Sequence, residues 1–187
     1  MRKIASLLLL LTLPFVGLAC DERTEETDSG GVLLEVDFGT VLPLRASVND
    51  VVGNNGSLVQ VEAVTFTSIV ANPNAVASDL MNIELESFEV VFQRVDGGTR
   101  LPPPYVVKLL ATIPAGGSFT INDLELMSFD QLNNPPLSDL LFANGGFDKE
   151  TGLTFIRMNL FIRAFGRTLG GRRVESVPRP HTMEFTQ

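Results

Sequence analysis

The sequence predicts an all-β fold, an antiparallel β-sandwich with one short helix, over residues 32–187. Short runs rich in Val, Ile, Leu, Phe and Thr recur along this part of the chain, and clusters of Gly, Asn, Asp and Pro interrupt them. The interruptions come every eight to twelve residues or so, a spacing typical of sandwiches and barrels. Within the runs, apolar and polar residues alternate, as expected for strands that bury one face.

The first half of the domain contains four predicted strands, at 32–38, 45–52, 58–70 and 83–95. In the fourth strand, the apolar residues are first odd-numbered, at Ile83 and Leu85, and then even-numbered, at Phe88 and Val90. Because strand side chains alternate with period two, this change requires an extra residue. We therefore expect a β-bulge at 86–87.

The second half contains five more predicted strands, at 105–113, 118–126, 154–165, 172–176 and 182–186, with a turn at 166–171. Three prolines at 102–104 lack amide hydrogens, so this segment should be a rim loop or an edge. The one predicted helix is 136–142, where Leu137, Leu140 and Leu141 follow a helical spacing. In the long run 154–165, the even-numbered residues should form one buried apolar face.

The first twenty residues have the pattern of an export signal. Arg2 and Lys3 precede an apolar run, 4–18, that is too short to span a bilayer, and the run ends at Cys20. This segment resembles the signal of bacterial lipoproteins, in which a peptidase cuts before a cysteine that is then acylated, for example with palmitate. The resemblance implies a signal peptide at 1–19 and a lipidated Cys20. The sequence departs from that pattern at Gly17, where lipoproteins usually have Leu, Val or Ile.

Residues 21–31 contain five acids and no apolar side chain, so they cannot contribute to a core. We interpret residues 20–31 as the lipidated cysteine followed by a disordered acidic tether. Eleven residues that behave as a flexible coil span roughly 18 Å, and about 38 Å when fully extended. The domain 32–187 is thus expected close to the membrane surface, in a bacterial envelope; whether the membrane is the inner or the outer one is left open.

Charge and cysteine content exclude several classes of function. Loss of Arg2 and Lys3 with the signal changes the formal net charge from −8 to −10. Such acidity disfavours a nucleic-acid partner, which requires a positive surface. Cys20 is the only cysteine, so no disulfide can form within the chain. We expect a monomer of one domain with no metal and no cofactor.

Short motifs within residues 60–187 resemble known families. The Asn72-Pro73-Asn74 turn, the 88–92 strand, the 96–98 turn and the 113–117 segment are similar to the domain shared by late-embryogenesis-abundant and water-stress proteins. The later stretch, from Pro135-Pro136-Leu137 through the long strand to Phe165-Gly166-Arg167, resembles uncharacterised bacterial lipoproteins. These resemblances imply an immunoglobulin- or fibronectin-like sandwich and bring no catalytic residue. They also suggest an alternative role as a stress-protective scaffold.

The residues that could support catalysis or metal binding are few, and we expect no enzymatic activity. His181 is the only histidine, and we interpret it as part of a surface loop because Pro178 and Pro180 flank it. A serine hydrolase would need His181 beside a nucleophile, and no Gly-x-Ser-x-Gly motif is present. Glu84 and Glu86 are interpreted as a solvated strand face. Asp148 and Glu150, with the 49–50 and 54–55 loops, could offer oxygen ligands to calcium, but such residues are also ordinary turn formers.

The best candidate for a functional surface combines arginines with aromatic residues on one strand face. Arginine and aromatic side chains are enriched at interface centres and suit anionic lipid or an acidic envelope protein. The alternative is that the arginines pair with acidic strands of the same domain. We expect a non-enzymatic binding or structural module, with an envelope hydrolase as a weaker alternative. The predicted surface consists of Arg157, Arg163, Arg167, Arg172, Arg173, Phe155, Phe161 and Phe165.

Overall fold

The computed structural model describes residues 31–39, 44–53 and 59–187, and its regular structure is mainly β. The strands are β1 (Val32–Asp37), β2 (Leu44–Ser47), β3 (Val59–Val70), β4 (Ile83–Arg94), β5 (Tyr105–Ile113), β6 (Ser118–Met127), β7 (Phe155–Thr168), β8 (Arg173–Glu175) and β9 (Arg179–Thr186). The helices are α1 (Val48–Gly53), α2 (Phe129–Asn133) and the 3₁₀ turns Asp79–Met81, Leu137–Leu140 and Phe142–Asn144. The all-β class is confirmed.

The strands form two sheets. One has three strands in the order β1-β3-β6, and the other has six, in the order β2-β9-β7-β4-β5 with β8 paired to β7. Buried side chains from both sheets join in one hydrophobic cluster, to which β3, β4 and β7 contribute most. The predicted apolar face of β7 is confirmed, since Ile156, Met158, Leu160, Ile162 and Ala164 are all buried.

Strand β4 contains the predicted β-bulge, at the point where its apolar residues change from odd-numbered to even-numbered positions. Leu85 pairs with Gly166 and Ser87 with Phe165, so Glu86 is the extra residue relative to β7. Across the bulge the buried positions change from Ile83 and Leu85 to the even-numbered residues of β4. The bulge thereby keeps Ile83, Leu85, Phe88, Val90 and Phe92 in the core.

The six-stranded sheet contains one parallel pair of strands, which corrects the prediction of an antiparallel sandwich. β2 pairs with β9 in parallel, from Leu44 with Met183 to Ser47 with Thr186. The remaining strand ladders are antiparallel. A parallel pair requires a long connection between its two strands, and here most of the domain supplies it. Local sequence patterns carry no information about such a pairing.

The prediction of one helix at 136–142 was wrong, because the helical residues form several shorter pieces. Leu141 has an extended backbone, with ψ of 138°, and separates the 3₁₀ turns Leu137–Leu140 and Phe142–Asn144. α2 begins with a capping box in which the Ser128 hydroxyl accepts from the Gln131 amide and Gln131 bonds back to the Ser128 amide.

Two predicted boundaries also move. The strand expected at 45–52 ends at Ser47, whose hydroxyl accepts a hydrogen bond from the Asp50 amide at 3.2 Å and so favours the start of α1. The turn expected at 166–171 starts later, because β7 continues to Thr168, and Gly166 faces Leu85 in the ladder. The turn after β7 is closed by the Gly171 amide, which donates to the Thr168 carbonyl at 2.8 Å.

Candidate functional site

The strand β7 carries the predicted arginine and aromatic residues on its outer face. Its burial alternates strictly, so the odd-numbered residues point away from the core while the even-numbered ones are buried. On β8, Arg173 is the register partner of Arg167, and Arg172 lies in the turn just before β8. We call the set Arg157, Arg163, Arg167, Phe155, Phe161 and Phe165 the arginine face of β7.

Carboxylates on the neighbouring strands pair with the arginine face. Arg157 lies 2.6 Å from Glu184 on β9, and Arg163 lies 3.1 Å from Glu89 on β4. Arg163 also meets Glu175 on β8 at 3.1 Å, and Arg167 meets Glu86 on β4 at 3.6 Å. These pairs follow the register of the sheet, since Arg157 opposes Glu184 and Arg163 opposes Glu89. The arginines therefore combine with the acidic strands of the same domain.

The guanidinium groups stay partly accessible despite these pairs. The Arg157 side chain is 48% exposed and that of Arg163 is 38% exposed, so both could still meet a partner. Each also lies over a neighbouring ring, Arg157 over Phe155 at 5.4 Å and Arg163 over Phe165 at 5.8 Å. The hydrogen bond from Arg157 lowers the pKa of Glu184 below its ordinary value. Exposed ion pairs are weak, so a stronger anion could displace these carboxylates.

A second charged cluster lies at the end of the domain where β4 ends and β7 begins. Arg94 is almost fully buried, and its guanidinium contacts Asp96 at 2.7 Å and Asp148 at 2.8 Å. Arg100 binds Asp139 at 2.7 Å and Asp148 at 3.1 Å. We call these residues, with Lys149 and Glu150, the Arg94 network; it contains three cations and four carboxylates.

The carboxylates of the Arg94 network are held in their charged form. Burial raises the pKa of Asp148, but hydrogen bonds from Arg94 and Thr151 outweigh it, so the pKa lies well below its ordinary value. For Asp139, hydrogen bonds from Arg100 and Lys149 likewise outweigh burial and lower the pKa. Backbone and side-chain donors at Arg100 and Thr99 lower the pKa of Glu150 to about 2. The network joins the 94–100 segment to the 139–151 segment.

Sequence reasoning missed the Arg94 network, although one signal was present. After the bulge, even-numbered residues of β4 face the core, and Arg94 continues that parity. A charged residue on a buried face needs partners, and the acidic turn at 148–150 supplies them. Asp148 and Glu150 were candidate calcium ligands, but their carboxylates accept hydrogen bonds from arginine and threonine side chains. Asn49 bonds to the backbone of Leu140 and Phe142, while 54–55 lie outside the described residues.

His181 lies in β9 and not in a surface loop, which corrects the prediction. Its ring packs against Phe38 with centroids 4.1 Å apart, and it pairs in register with Leu160. Among the described residues, β2 pairs with β9 only from Met183 onward, so no described strand on that side requires the amide hydrogen that Pro180 lacks. Burial lowers the pKa of His181, Asp37 opposes this shift and Arg179 adds to it. Within residues 31–39, 44–53 and 59–187, nothing hydrogen-bonds to the buried Nε2.

The remaining candidate residues are either exposed to solvent or lie outside the described part of the chain. Glu84 and Glu86 are exposed, and Glu86 is the partner of Arg167. Cys20, the predicted lipidation site, lies outside the described residues, as does the predicted signal at 1–19. In the described part of the chain, no three or more His, Cys, Asp or Glu side chains gather as metal ligands would. No helix in that part is long and apolar enough to cross a bilayer.

Comparisons with known proteins identify no family. No family model matches the chain, and no curated protein matches its sequence. One solved structure that resembles it is the X-ray structure of Northeast Structural Genomics Consortium target SoR45. The alignment covers 83% of this chain and 87% of that one, with 10% identity and a TM-score of 0.37.

Proposed function

We propose that this chain is an exported lipoprotein, anchored through Cys20, whose β domain is a non-enzymatic binding module at the cell envelope. The observation that carries the proposal is the segment 1–20, in which a basic start, a short apolar run and small residues lead to the only cysteine. The acidic segment 21–31 would then connect the anchor to β1. An immunoglobulin- or fibronectin-like class for the two-sheet domain belongs to the same proposal.

The arginine face of β7 is the proposed binding surface. It offers partly exposed guanidinium groups beside Phe155, Phe161 and Phe165, a combination that suits an acidic protein or anionic lipid in the envelope. The intramolecular partners Glu89 and Glu184 would have to be displaced, so binding through this face should weaken as salt is added. The stress-protective scaffold is the alternative, supported by the family resemblance alone.

The anchor is tested by mass spectrometry of the mature N-terminus after expression in a bacterium. We expect the chain to begin at Cys20 and to carry fatty acyl groups, and a Cys20→Ser variant to lose both cleavage and membrane association. Gly17→Leu restores the usual lipoprotein pattern and should leave the mature terminus unchanged. Recovery of a mature chain with an unmodified Cys20 would contradict the anchor.

The binding surface is tested with a double variant, Arg157→Gln with Arg163→Gln, in pulldowns of the intact acylated protein from its native envelope. A matched control, Lys108→Gln with Arg179→Gln, removes the same charge outside the arginine face of β7. We expect the first variant to lose partners that the control retains. Equal recovery from both variants would contradict the binding surface and favour the scaffold alternative.

A further inference from the structure

The end of the domain at which the described chain begins carries an unusual set of exposed apolar residues. The Gly31 carbonyl accepts from the Ala71 amide at 2.8 Å, and Gly31 lies against the Met81 side chain. Every residue from 71 to 80 is exposed, including Val76 at 89% and Leu80 at 65%. The 71–82 loop is thus next to the point at which the segment 21–30 joins the domain.

The turn after β7 extends this apolar surface. The Leu169 amide donates to the Asn82 carbonyl and the Gly170 amide to the Leu80 carbonyl, both at 2.9 Å. Leu169 is 46% exposed, so it adds a third apolar side chain beside Leu80. Arg172 and Arg173 follow directly and are exposed. We call Val76, Leu80, Leu169, Arg172 and Arg173, together with Gly31, the Gly31 end.

Apolar side chains with arginines beside them have the composition of a surface that rests on an anionic bilayer. Leucine and valine enter the boundary between headgroups and acyl chains, while arginines meet lipid phosphates. The domain 32–187 is otherwise acidic, since it contains 17 acids and 11 bases. An anionic bilayer would therefore repel most of its surface, whereas at this end Arg172 and Arg173 outnumber Asp79, the exposed acid of the 79–81 turn. The five acids of the segment 21–30, which joins the domain here, oppose this attraction, so the apolar side chains must contribute to docking as well.

The length of the connecting segment favours the same orientation. Strand β7 has 14 residues, which corresponds to roughly 46 Å between the two ends of the domain. The eleven residues 21–31 reach about 38 Å when fully extended. If a domain anchored at Cys20 stood on its opposite end, where Phe142 and Phe147 are exposed, the connecting segment would have to be stretched to about its full length, which disfavours that orientation.

We propose that the Gly31 end docks on the anionic lipid surface to which Cys20 anchors the chain, which fixes how the domain is oriented. This inference rests on the proposed lipid anchor. Docking of the Gly31 end leaves the opposite end, with the Arg94 network, pointing away from the membrane. The arginine face of β7 then lies along the side of the domain, where an envelope protein could reach it.

The chain has no tryptophan, so single tryptophans can report contact with lipid. The acylated full chain carrying Leu80→Trp is reconstituted into vesicles of brominated phosphatidylcholine and anionic phosphatidylglycerol. We expect about twofold quenching of its emission, because side chains docked at an interface lie roughly 5–10 Å inside the headgroup boundary. Leu169→Trp provides a second reporter in case Leu80→Trp does not fold. Phe142→Trp, at the opposite end and 70% exposed, is the matched control and should not be quenched.

Flotation of the same vesicles separates the two proposals. Protein that does not float with the vesicles would overturn the lipid anchor and this inference with it. Protein that floats, but in which Leu80→Trp is quenched no more than Phe142→Trp, would overturn the docking and leave the anchor intact. Adding Arg172→Gln and Arg173→Gln to Leu80→Trp should reduce quenching on anionic vesicles, and unchanged quenching would remove the role of these arginines.

Discussion

The guanidinium of Arg94 occupies the space that a side chain at Gly98 would need. A Cβ added at Gly98 would lie 2.2 Å from Arg94 Cζ and 2.3 Å from its Nη2. The same turn supplies Asp96, whose carboxylate accepts from both Arg94 Nε and the Gly98 amide. The turn after β4 is therefore shaped around a buried cation, and glycine at 98 is a consequence of that cation.

We predict that Gly98→Ala destabilises the domain by about 2 to 3 kcal/mol, because the added methyl must displace a guanidinium that buried carboxylates hold in place. Urea unfolding followed by circular dichroism measures the loss. Gly39→Ala is the control, since no atom of the described residues lies within 4 Å of its added Cβ, and it should change stability by less than about 0.5 kcal/mol. Equal effects of the two substitutions would contradict the packing of Arg94 beneath Gly98.

Acid should destabilise the domain through the Arg94 network. Asp96, Asp139 and Asp148 all have lowered pKa values in the folded chain, so the unfolded chain binds more protons as the pH falls below about 5. Stability is therefore complete above that pH and decreases as the pH falls toward 2. Asp148→Asn should be about 3 kcal/mol less stable at pH 7 and show a shallower decrease in acid. Unfolding midpoints at several pH values measure both slopes, and parallel slopes would contradict this prediction.

The single imidazole of the chain should titrate below its ordinary value. Burial lowers the pKa of His181 and Arg179 adds to the effect, so the midpoint should lie below about 6.5. The folded chain then binds fewer protons than the unfolded one, and stability should decrease slightly as the pH falls through this range. Proton NMR of the ring resonances gives the midpoint without an assignment problem. Arg179→Gln should raise it, and a midpoint at or above 6.5 in the parent chain would disprove the burial.

Gly166 should tolerate no side chain, because β7 and β4 approach closely next to the bulge. An added Cβ would lie 2.7 Å from the Glu84 carbonyl oxygen and 2.8 Å from Ile83 Cγ2. Backbone cannot move aside as a flexible side chain can, so Gly166→Ala should cost about 2 to 3 kcal/mol. Chemical unfolding compares it with Gly53→Ala, whose added Cβ meets no atom within 4 Å in the part of the chain that the structure describes. A stable Gly166→Ala variant would show that the two strands lie farther apart.

The sequence made much of the strand content predictable, because alternation is a local signal. It located β4 and its bulge, and it assigned the even-numbered residues of β7 to the core. Ser128 and Gln131 formed a readable capping signal for α2 that the prediction did not use. The parallel pairing of β2 with β9 had no local signal, since it depends on residues far apart in the chain.

The candidate site was predictable only in part. The residues of the arginine face of β7 could be assigned to one strand face, but their carboxylate partners depend on the register with β4 and β9. Flanking prolines suggested a loop around His181, whereas Pro180 joins the ladder with β7 as the register partner of Phe161. The carboxylate partners and the pairing of Pro180 both depend on contacts between strands far apart in the chain, which local sequence patterns do not reveal.

The position of β9 between β2 and β7 has a consequence for how the domain matures. Ser47 donates a hydrogen bond to the Gln187 carbonyl at 2.7 Å, across 140 residues of sequence, and β2 takes its place in the sheet only through β9. A growing chain therefore cannot complete the six-stranded sheet until residues 179–187 have been synthesised. Chains that lack β9 leave strand edges unpaired, so they should be prone to edge-to-edge association until residues 179–187 are available.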